Sequence, residues 1–389
     1  MTDNKEIHVI VATGEWSNDA LKYRRHRLAE FLAEKDNTAE VIWVCPTSSP
    51  HSNKFHSYSD KIKQYFVADI SSNRMLRFAR YFDIFYKNKL DELIRYVNNQ
   101  DAKKYLWHTF PGFPLLQTII SWDRVTYDCS DLWAIQMGGK KNLINQFRQK
   151  SISSAENRII AGADNIFCTS DFLYEKVKGN QSLNEKTQVT ALENGVEFEA
   201  FSKGEERSVE ASPGKASVPV LGFIGGIKPK LDFELLNRVM SEKEDWKLLL
   251  VGPDATNNSP SFQQLLTNKN VNWVGEVPPA EVPEYMDKLD IGILPYKSSE
   301  YNKAVFPLKL FEFLAAGKPV VGMNLPSTKK YSQPMIYEYI NDSDEQFVKA
   351  CETLFKDSLP FTKERVELAQ KHDWQEIFKT MYRKAVESK

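Results

Sequence analysis

Apolar residues along this chain fall into short, largely unbroken runs separated by longer amphipathic stretches. Six runs occupy the first half: "IHVIVAT" (7–13), "AEVIWVC" (39–45), "KYLWHTF" (104–110), "RVTYDC" (124–129), "NIFCTS" (165–170) and "QVTALEN" (188–194). Continuous apolar runs, as opposed to alternating ones, predict strands buried on both faces. The stretches between them, such as "DALKYRRHRLAEFLAEK" and "FRQKSISSAENRIIAGA", predict helices. Strands alternating with helices imply a parallel sheet covered on both sides.

The alternation stops at "FSKGEERSVEASPGKASVP" (201–219), a charged, Pro- and Gly-containing stretch that reads as a linker. It restarts with "VLGFIGG" (220–226), "WKLLLVG" (246–252), "VNWVGEV" (271–277), "DIGILPY" (290–296) and "KPVVGM" (318–323). The fold class predicted is α/β, with two Rossmann-like domains at 1–200 and 220–373. A chain of 389 residues is too long for one ordinary core and suits two. The closing stretch "DWQEIFKTMYRKAVES" predicts one long amphipathic helix, from about residue 374 to 389, crossing back onto the first domain.

Composition acts mainly by exclusion. The chain is 42% hydrophobic and 26% charged, normal for a globular protein. No window approaches the length of apolar chain needed to span a bilayer. The opening "MTDNKEIHVIVATG" lacks a basic n-region and a cleavage site and reads as a first strand, so a cytoplasmic location is expected. Net charge is −1, with a surplus of five positive charges in residues 1–150 and of six negative ones after them. That mild asymmetry, without a concentrated basic stripe, excludes a nucleic-acid partner. Cys45, Cys129, Cys168 and Cys351 lie far apart with no CxxC pair; they read as buried apolar residues at strand ends, not as disulfides or zinc ligands.

Ligands of parallel α/β sheets bind outside the carboxyl ends of the strands. In the second domain the residues so placed are Gly225, Gly226, Lys228 and Lys230, then "GPDATNN", "GEVPPAEV" and "YKSSEYNKAVFPLKLFE". Within "FPLKLFEFLAAGKPVVG" (306–322), Pro307 suits a first helical position and Gly317 a helix end. Leu308, Phe311 and Ala315 then share a core stripe, with Lys309 and Glu312 close together beside it. The free N–H groups of Leu308 and Lys309, with the Lys309 ammonium, make an anion site. One turn on, Glu312 can accept two hydroxyl hydrogen bonds, as from a ribose. The two together describe a nucleoside diphosphate site. The plainer alternative is a solvated ion pair at a helix edge, worth at most about 0.5 kcal/mol.

"PLKLFEFLAAGKPVV" resembles the signature of GT-B fold glycosyltransferases, especially bacterial enzymes of teichuronic-acid and exopolysaccharide assembly. "DIGILPYKSSEYN" leads into it as in that group. "ENGVEFEAFSK" (193–203) resembles the family's inter-domain crossover, and "GFIGGIKPKLDFELL" (222–236) its glycine turn near the donor phosphates. The resemblance implies a GT-B protein with an interdomain cleft, a UDP-sugar donor and no cofactor. It also implies that no metal is needed, since lysine and backbone N–H groups neutralise the diphosphate. Retaining members carry a second glutamate eight residues before the first. Here that position is Ala304, so the donor-sugar role is either missing or moved, with Asn302 the candidate to take it. The usual Arg and Lys on the diphosphate are not both matched; Lys228 or Lys230 is the candidate substitute, with Pro229 between them, while Asp232 reads as an N-cap.

In the first domain "VTYDCSDLWA" (125–134) resembles the "Y-x-x-S-D" segment of xanthan-type glucuronosyltransferases, which gives Asp131 the general-base role and Asp128 an orienting one on the acceptor side. The alternative is two aspartates capping the following helix. His108, at a strand end, corresponds to a histidine that touches the donor sugar in retaining relatives. Arg24 resembles the arginine of a teichuronic-acid segment, and Trp16 with Arg24 is a candidate acceptor contact. "RMLRFARYFDIFYKNKL" (74–90) interleaves five basic with five aromatic residues, a pattern that suits contact with a membrane surface. The function expected is transfer of a sugar to a glycan or lipid-linked acceptor at the inner face of the membrane. Two alternatives share the donor site: a non-hydrolysing UDP-sugar epimerase and a nucleotide-sugar-binding protein without activity.

Overall fold

The computed structural model describes residues 5–18, 23–48, 54–71, 74–135, 143–202, 218–357 and 359–387. It divides into two compact units, Met1–Glu193 with Phe378–Lys389, and Asn194–Ile377. Most of the expected linker, residues 203–217, lies outside the described residues, as do residues 19–22 of the first predicted helix. The division comes ahead of residue 200 for a visible reason. Val196 N–H donates to the His372 carbonyl at 3.0 Å, and Trp374 N–H donates to the Val196 carbonyl at 3.1 Å. The start of "GVEFEAF" is thereby stitched into the second unit.

The first unit holds eight strands: β1 (Glu6–Val11), β2 (Thr38–Thr47), β3 (Phe55–Ser57), β4 (Ile62–Ala68), β5 (Lys103–His108), β6 (Arg124–Cys129), β7 (Asn165–Cys168) and β8 (Gln188–Ala191). Their order is β3-β4-β2-β1-β5-β6-β7-β8, parallel except for the antiparallel β3–β4 pair. All six predicted strands are present. β3 and β4 escape the apolar pattern because Lys63 and Gln64 interrupt "IKQYFVA". One core packs Ile7, Val9, Val11, Leu106 and Val125 against Leu90, Leu93 and Val97. The helix α1 (Arg24–Ala33) buries Leu28, Ala29, Phe31 and Leu32.

Two polar fastenings lie inside this unit. Arg24 Nε donates to both carboxylate oxygens of Asp128 at 3.0 Å, with the side chains 5% and 1% exposed, and Arg24 also donates to the Glu193 carbonyl at 2.8 Å. The second fastening secures the chain end. Tyr382 donates to Glu6 Oε2 at 2.8 Å and accepts from Asn37 at 2.9 Å, while its ring and that of Phe378 pack on Phe31. His8 stacks on Tyr105 and accepts from Trp107 Nε1 at 3.2 Å. The expected single C-terminal helix is α-helical only over Trp374–Tyr382 and continues as a π-helical turn, Arg383–Glu387.

The second unit holds β9 (Val220–Ile224), β10 (Lys247–Val251), β11 (Val271–Gly275), β12 (Ile291–Pro295), β13 (Val320–Met323) and β14 (Tyr337–Ile340). The order β11-β10-β9-β12-β13-β14 is parallel throughout. Strand order reverses between β9 and β12, and at such a switch point the connecting segments leave in opposite directions and open a crevice at the carboxyl ends. Only the edge strand β14 was not read from sequence. The "FPLKLFEF" helix spans Lys309–Ala315 and buries Leu310, Phe311, Phe313, Leu314 and Ala315. It therefore begins two residues after Pro307, and Leu308, at its cap, is half-buried instead of joining the core stripe. Its far end is held by Arg365, 2% exposed, which donates to the Gly317 carbonyl at 2.6 Å and the Met335 carbonyl at 3.1 Å. Burial lowers that guanidinium to about 10.

All four cysteines are free and buried. Three lie on strands, as expected, but Cys351 lies within the helix Asp344–Asp357. Burial is the main force raising the Cys45 and Cys351 thiols. The Cys129 thiol is raised first by its hydrogen bond with Cys168, its register partner across β6 and β7, and then by burial.

The Tyr382 fastening makes a testable prediction. Glu6 is 4% exposed, so Tyr382→Phe leaves a buried carboxylate short of a donor. Stability should fall by about 1–3 kcal/mol, read as a lower urea midpoint; an unchanged midpoint would remove the network from the account of how the chain end is held.

Candidate functional site

At the switch point of the second unit three turns meet. Gly225 follows β9 with φ 147°, and Gly252 follows β10 with φ 136°, conformations that side chains with a Cβ rarely adopt. Gly225 N–H donates to the Val251 carbonyl at 2.8 Å, and Gly252 N–H to the Gly275 carbonyl at 2.7 Å. A Cβ on Gly252 would stand 2.1 Å from the Gly225 carbonyl oxygen. The two turns are thus in backbone contact.

The third element is the start of the helix Lys309–Ala315. A Cβ built on Gly225 would lie 3.3 Å from Lys309 Cε, so the lysine stem passes directly over the glycine turn. Its ammonium pairs with Glu312, and the two side chains are 23% and 13% exposed. Tyr296, after β12, is buried beside them: burial raises its hydroxyl, and the charge on Lys309 partly counters this. The N–H groups of Leu308 and Lys309 precede any intrahelical acceptor, whereas that of Leu310 donates to the Pro307 carbonyl at 3.3 Å. The site therefore combines a bare backbone turn, a cation, a carboxylate and free N–H donors, which is the chemistry needed to hold a phosphate and a diol.

The remaining donor-side residues divide. Lys228 lies along Gly226, where its Cε would be 3.2 Å from an added Cβ. Lys230 Nζ sits 5.0 Å from the centre of the Tyr296 ring. Asn302, by contrast, is fully buried. Its amide donates to the carbonyls of Lys297 at 2.8 Å and Lys230 at 3.1 Å. It ties two loops together through its amide nitrogen, while its side-chain oxygen is buried without a hydrogen-bond partner among the described residues. Asp232 caps its helix by accepting from Leu235 N–H at 3.0 Å. Gly252 and Tyr296 lay within stretches singled out by their place after strands, but only coordinates reveal that they touch the site. Asn194 is a further support: its amide donates at 2.9 Å to the Phe306 carbonyl, just ahead of the lysine-bearing helix.

In the first unit the predicted residues do not gather at one place. Asp131 is half-buried after β6, and its Oδ1 accepts from the Leu132 N–H at 2.8 Å. Asp128 and Arg24 are turned inward on each other as a buried ion pair. Trp16 stands against Trp43, edge to face at 4.9 Å between ring centres, and its backbone N–H donates to Gln64 Oε1 at 2.6 Å. His108 is fully buried at the end of β5, not lining a surface, and burial lowers its imidazole to about 3.

Comparison with known proteins gives a consistent result. The family described as Glycosyl transferases group 1 matches residues 218–357. The chain is 50% identical over 382 residues to TuaH of Bacillus subtilis (strain 168), named as a teichuronic acid biosynthesis glycosyltransferase, covering 96% of this chain and 95% of that protein. Among solved structures, WaaG, a glycosyltransferase involved in lipopolysaccharide biosynthesis, superposes with a TM-score of 0.68 at 15% identity, covering 98% of this chain and 100% of that one. Anabaena HepE, solved with UDP and glucose, superposes with a TM-score of 0.65 at 12% identity, covering 96% and 97%.

Two measurements probe this geometry. Gly252→Ala should cost at least about 1–3 kcal/mol from backbone strain and displace the Gly225 turn, so both the thermal midpoint and nucleotide affinity should drop. His108 sets a pH dependence. Its folded value is lowered to about 3 against about 6.5 unfolded. Below pH 6.5 the unfolded chain takes up a proton that the native state refuses, so stability falls as pH falls. Wild type should lose about 2 kcal/mol more than His108→Gln between pH 7 and pH 5; parallel stability curves would show that the imidazole is not held neutral.

Proposed function

The chain belongs to the GT-B glycosyltransferases, and on that footing we propose that it moves a sugar from a UDP-sugar to a lipid-linked glycan in cell-surface polysaccharide synthesis. The observation that carries the donor reading is the meeting of Lys309 and Glu312 with the Gly225 turn. The relative's name links it to teichuronic acid, and we infer the same class of product here. The uridine in this reading comes from the sequence resemblance; the diphosphate and the ribose come from the residues themselves.

In the proposed reaction the diphosphate lies over Gly225 and Gly226. The Lys309 ammonium and the N–H groups of Leu308 and Lys309 face it, with Lys228 and Lys230 nearby. As the anomeric C–O bond breaks, the departing UDP takes the bonding electrons, and these fixed donors stabilise the negative charge that grows on it. Glu312 accepts from the ribose hydroxyls. The acceptor hydroxyl attacks the anomeric carbon from the opposite side and loses its proton to the Asp131 carboxylate. Such a displacement inverts the anomeric centre. The lysines do the charge work that a divalent ion does elsewhere, so no metal takes part. His108, Asn302, Arg24 and Asp128 have supporting roles inside the units and touch neither substrate.

Four outcomes follow. Glu312→Ala should weaken UDP binding about 10- to 100-fold by calorimetry. Asp131→Asn should leave that affinity intact and lower transfer about 10²- to 10⁴-fold; near-normal turnover would remove Asp131 from the mechanism. Chelation with EDTA should leave the rate unchanged. The product made on a synthetic lipid-linked acceptor should have the anomeric configuration opposite to that of the donor. Failure of any nucleotide to bind would sink the donor assignment.

A further inference from the structure

Among the described residues, the first unit carries an exposed apolar surface. On the helical turn Asp83–Tyr86, Ile84 is 85% and Phe85 39% exposed; on the helix Leu143–Gly162, Leu143 is 83%, Ile144 56% and Phe147 50% exposed. These side chains belong to one ridge. Phe147 stacks on Phe82 with ring centres 6.1 Å apart and meets Phe78 at 5.3 Å. Leu143, Ile144 and Phe147 share a helix face through their three- and four-residue spacing. Arg158 clamps the two elements by donating to both oxygens of Asp83 at 3.0 and 2.8 Å.

The charges nearest the ridge are mainly positive, with exposed Asp91 and Glu92 following just after Leu90. Arg77, Lys87 and Lys150 are exposed, and Arg148 is half-exposed. Asp83 is the one carboxylate within residues 74–90 and 143–155, and Arg158 already neutralises it. On the same helix a groove of about 720 Å³, lined by Gln146, Gln149, Lys150, Ser153 and Asn157, runs beside the apolar face. Among the described residues no helix is long and apolar enough to cross a membrane.

We propose that this ridge is a docking surface for an anionic lipid bilayer, with Ile84, Phe85, Leu143, Ile144 and Phe147 entering the interfacial layer and Arg77, Lys87, Arg148 and Lys150 meeting the headgroups. Aliphatic and aromatic tips inside a ring of cations match the two-layer character of such a surface, apolar below and negative above. A soluble protein partner would need no such surplus of positive charge beside the apolar tips. Basic and aromatic residues at 74–90 already hint at this contact in the sequence; the second half of the ridge, from Leu143 to Phe147, emerges only when the two elements are brought together. The inference stands on this surface and not on the donor site, so it survives or fails independently of nucleotide binding.

Co-sedimentation of the full chain with vesicles tests it. The chain should sediment with phosphatidylglycerol-containing vesicles and not with pure phosphatidylcholine, and added salt should release it. Ile84→Asp with Leu143→Asp alters two side chains that hardly touch the fold, so unfolding and UDP binding should stay unchanged while vesicle affinity falls at least about tenfold. Arg77→Glu with Lys87→Glu and Lys150→Glu should lower it by about a hundredfold, at roughly fivefold or more per charge. Absence of wild-type binding to anionic vesicles would overturn the proposal. So would unaltered binding by the aspartate variant, or a wild-type dimer that this variant turns into monomers, because a second copy would then cover the ridge.

Discussion

The donor end of this molecule depends on how closely two backbone turns approach. The Gly225 carbonyl occupies the space in which any side chain at Gly252 would have to stand. That contact fixes the turn after β9 against the turn after β10 and leaves the top of Gly225 clear for the Lys309 stem. A lysine at a helix start is ordinary; a lysine laid across a bare peptide turn at a strand-order reversal is a place where phosphate oxygens can meet backbone and ammonium together. The Lys309–Glu312 pair follows from the same constraint, since the stem's path brings the ammonium to the glutamate one turn on.

The first unit uses its buried charges differently. Arg24 and Asp128 face each other with almost no exposure, and Glu6, His8, Asn37 and Tyr382 share one polar cluster. Burying such groups is expensive unless every partner is in place, so these clusters specify one arrangement of α1, β1, β6 and the chain end. Arg365 does the equivalent in the second unit with carbonyl oxygens as its acceptors.

Much of the architecture was legible because strands buried on both faces write themselves as apolar runs. The strands that escaped, β3, β4 and β14, are two short edge strands and one interrupted by Lys63 and Gln64, where burial is incomplete or the pattern is mixed. The meeting of Lys309 and Glu312 beside the glycine turn was legible as well, because their spacing and their position after strands bring them together. Arg24, Asp128, Asn302 and His108 were not. Polar residues near strand ends look alike in sequence whether they face a ligand or each other, and for Arg24 the difference is made by Asp128, 104 residues away. Asn302 reads as a sugar contact until the carbonyls of Lys230 and Lys297 are seen to claim its amide.

The free cysteines have a practical consequence. All four are buried, and those at 45, 129 and 351 are held as protonated thiols, whereas reagents such as maleimides attack the exposed thiolate. A single cysteine introduced on an outer surface would therefore be the one fast-reacting sulfur in the native chain. Fluorophores or spin labels could be attached there without first stripping the natural residues, and the cores that contain those residues would be left as they are.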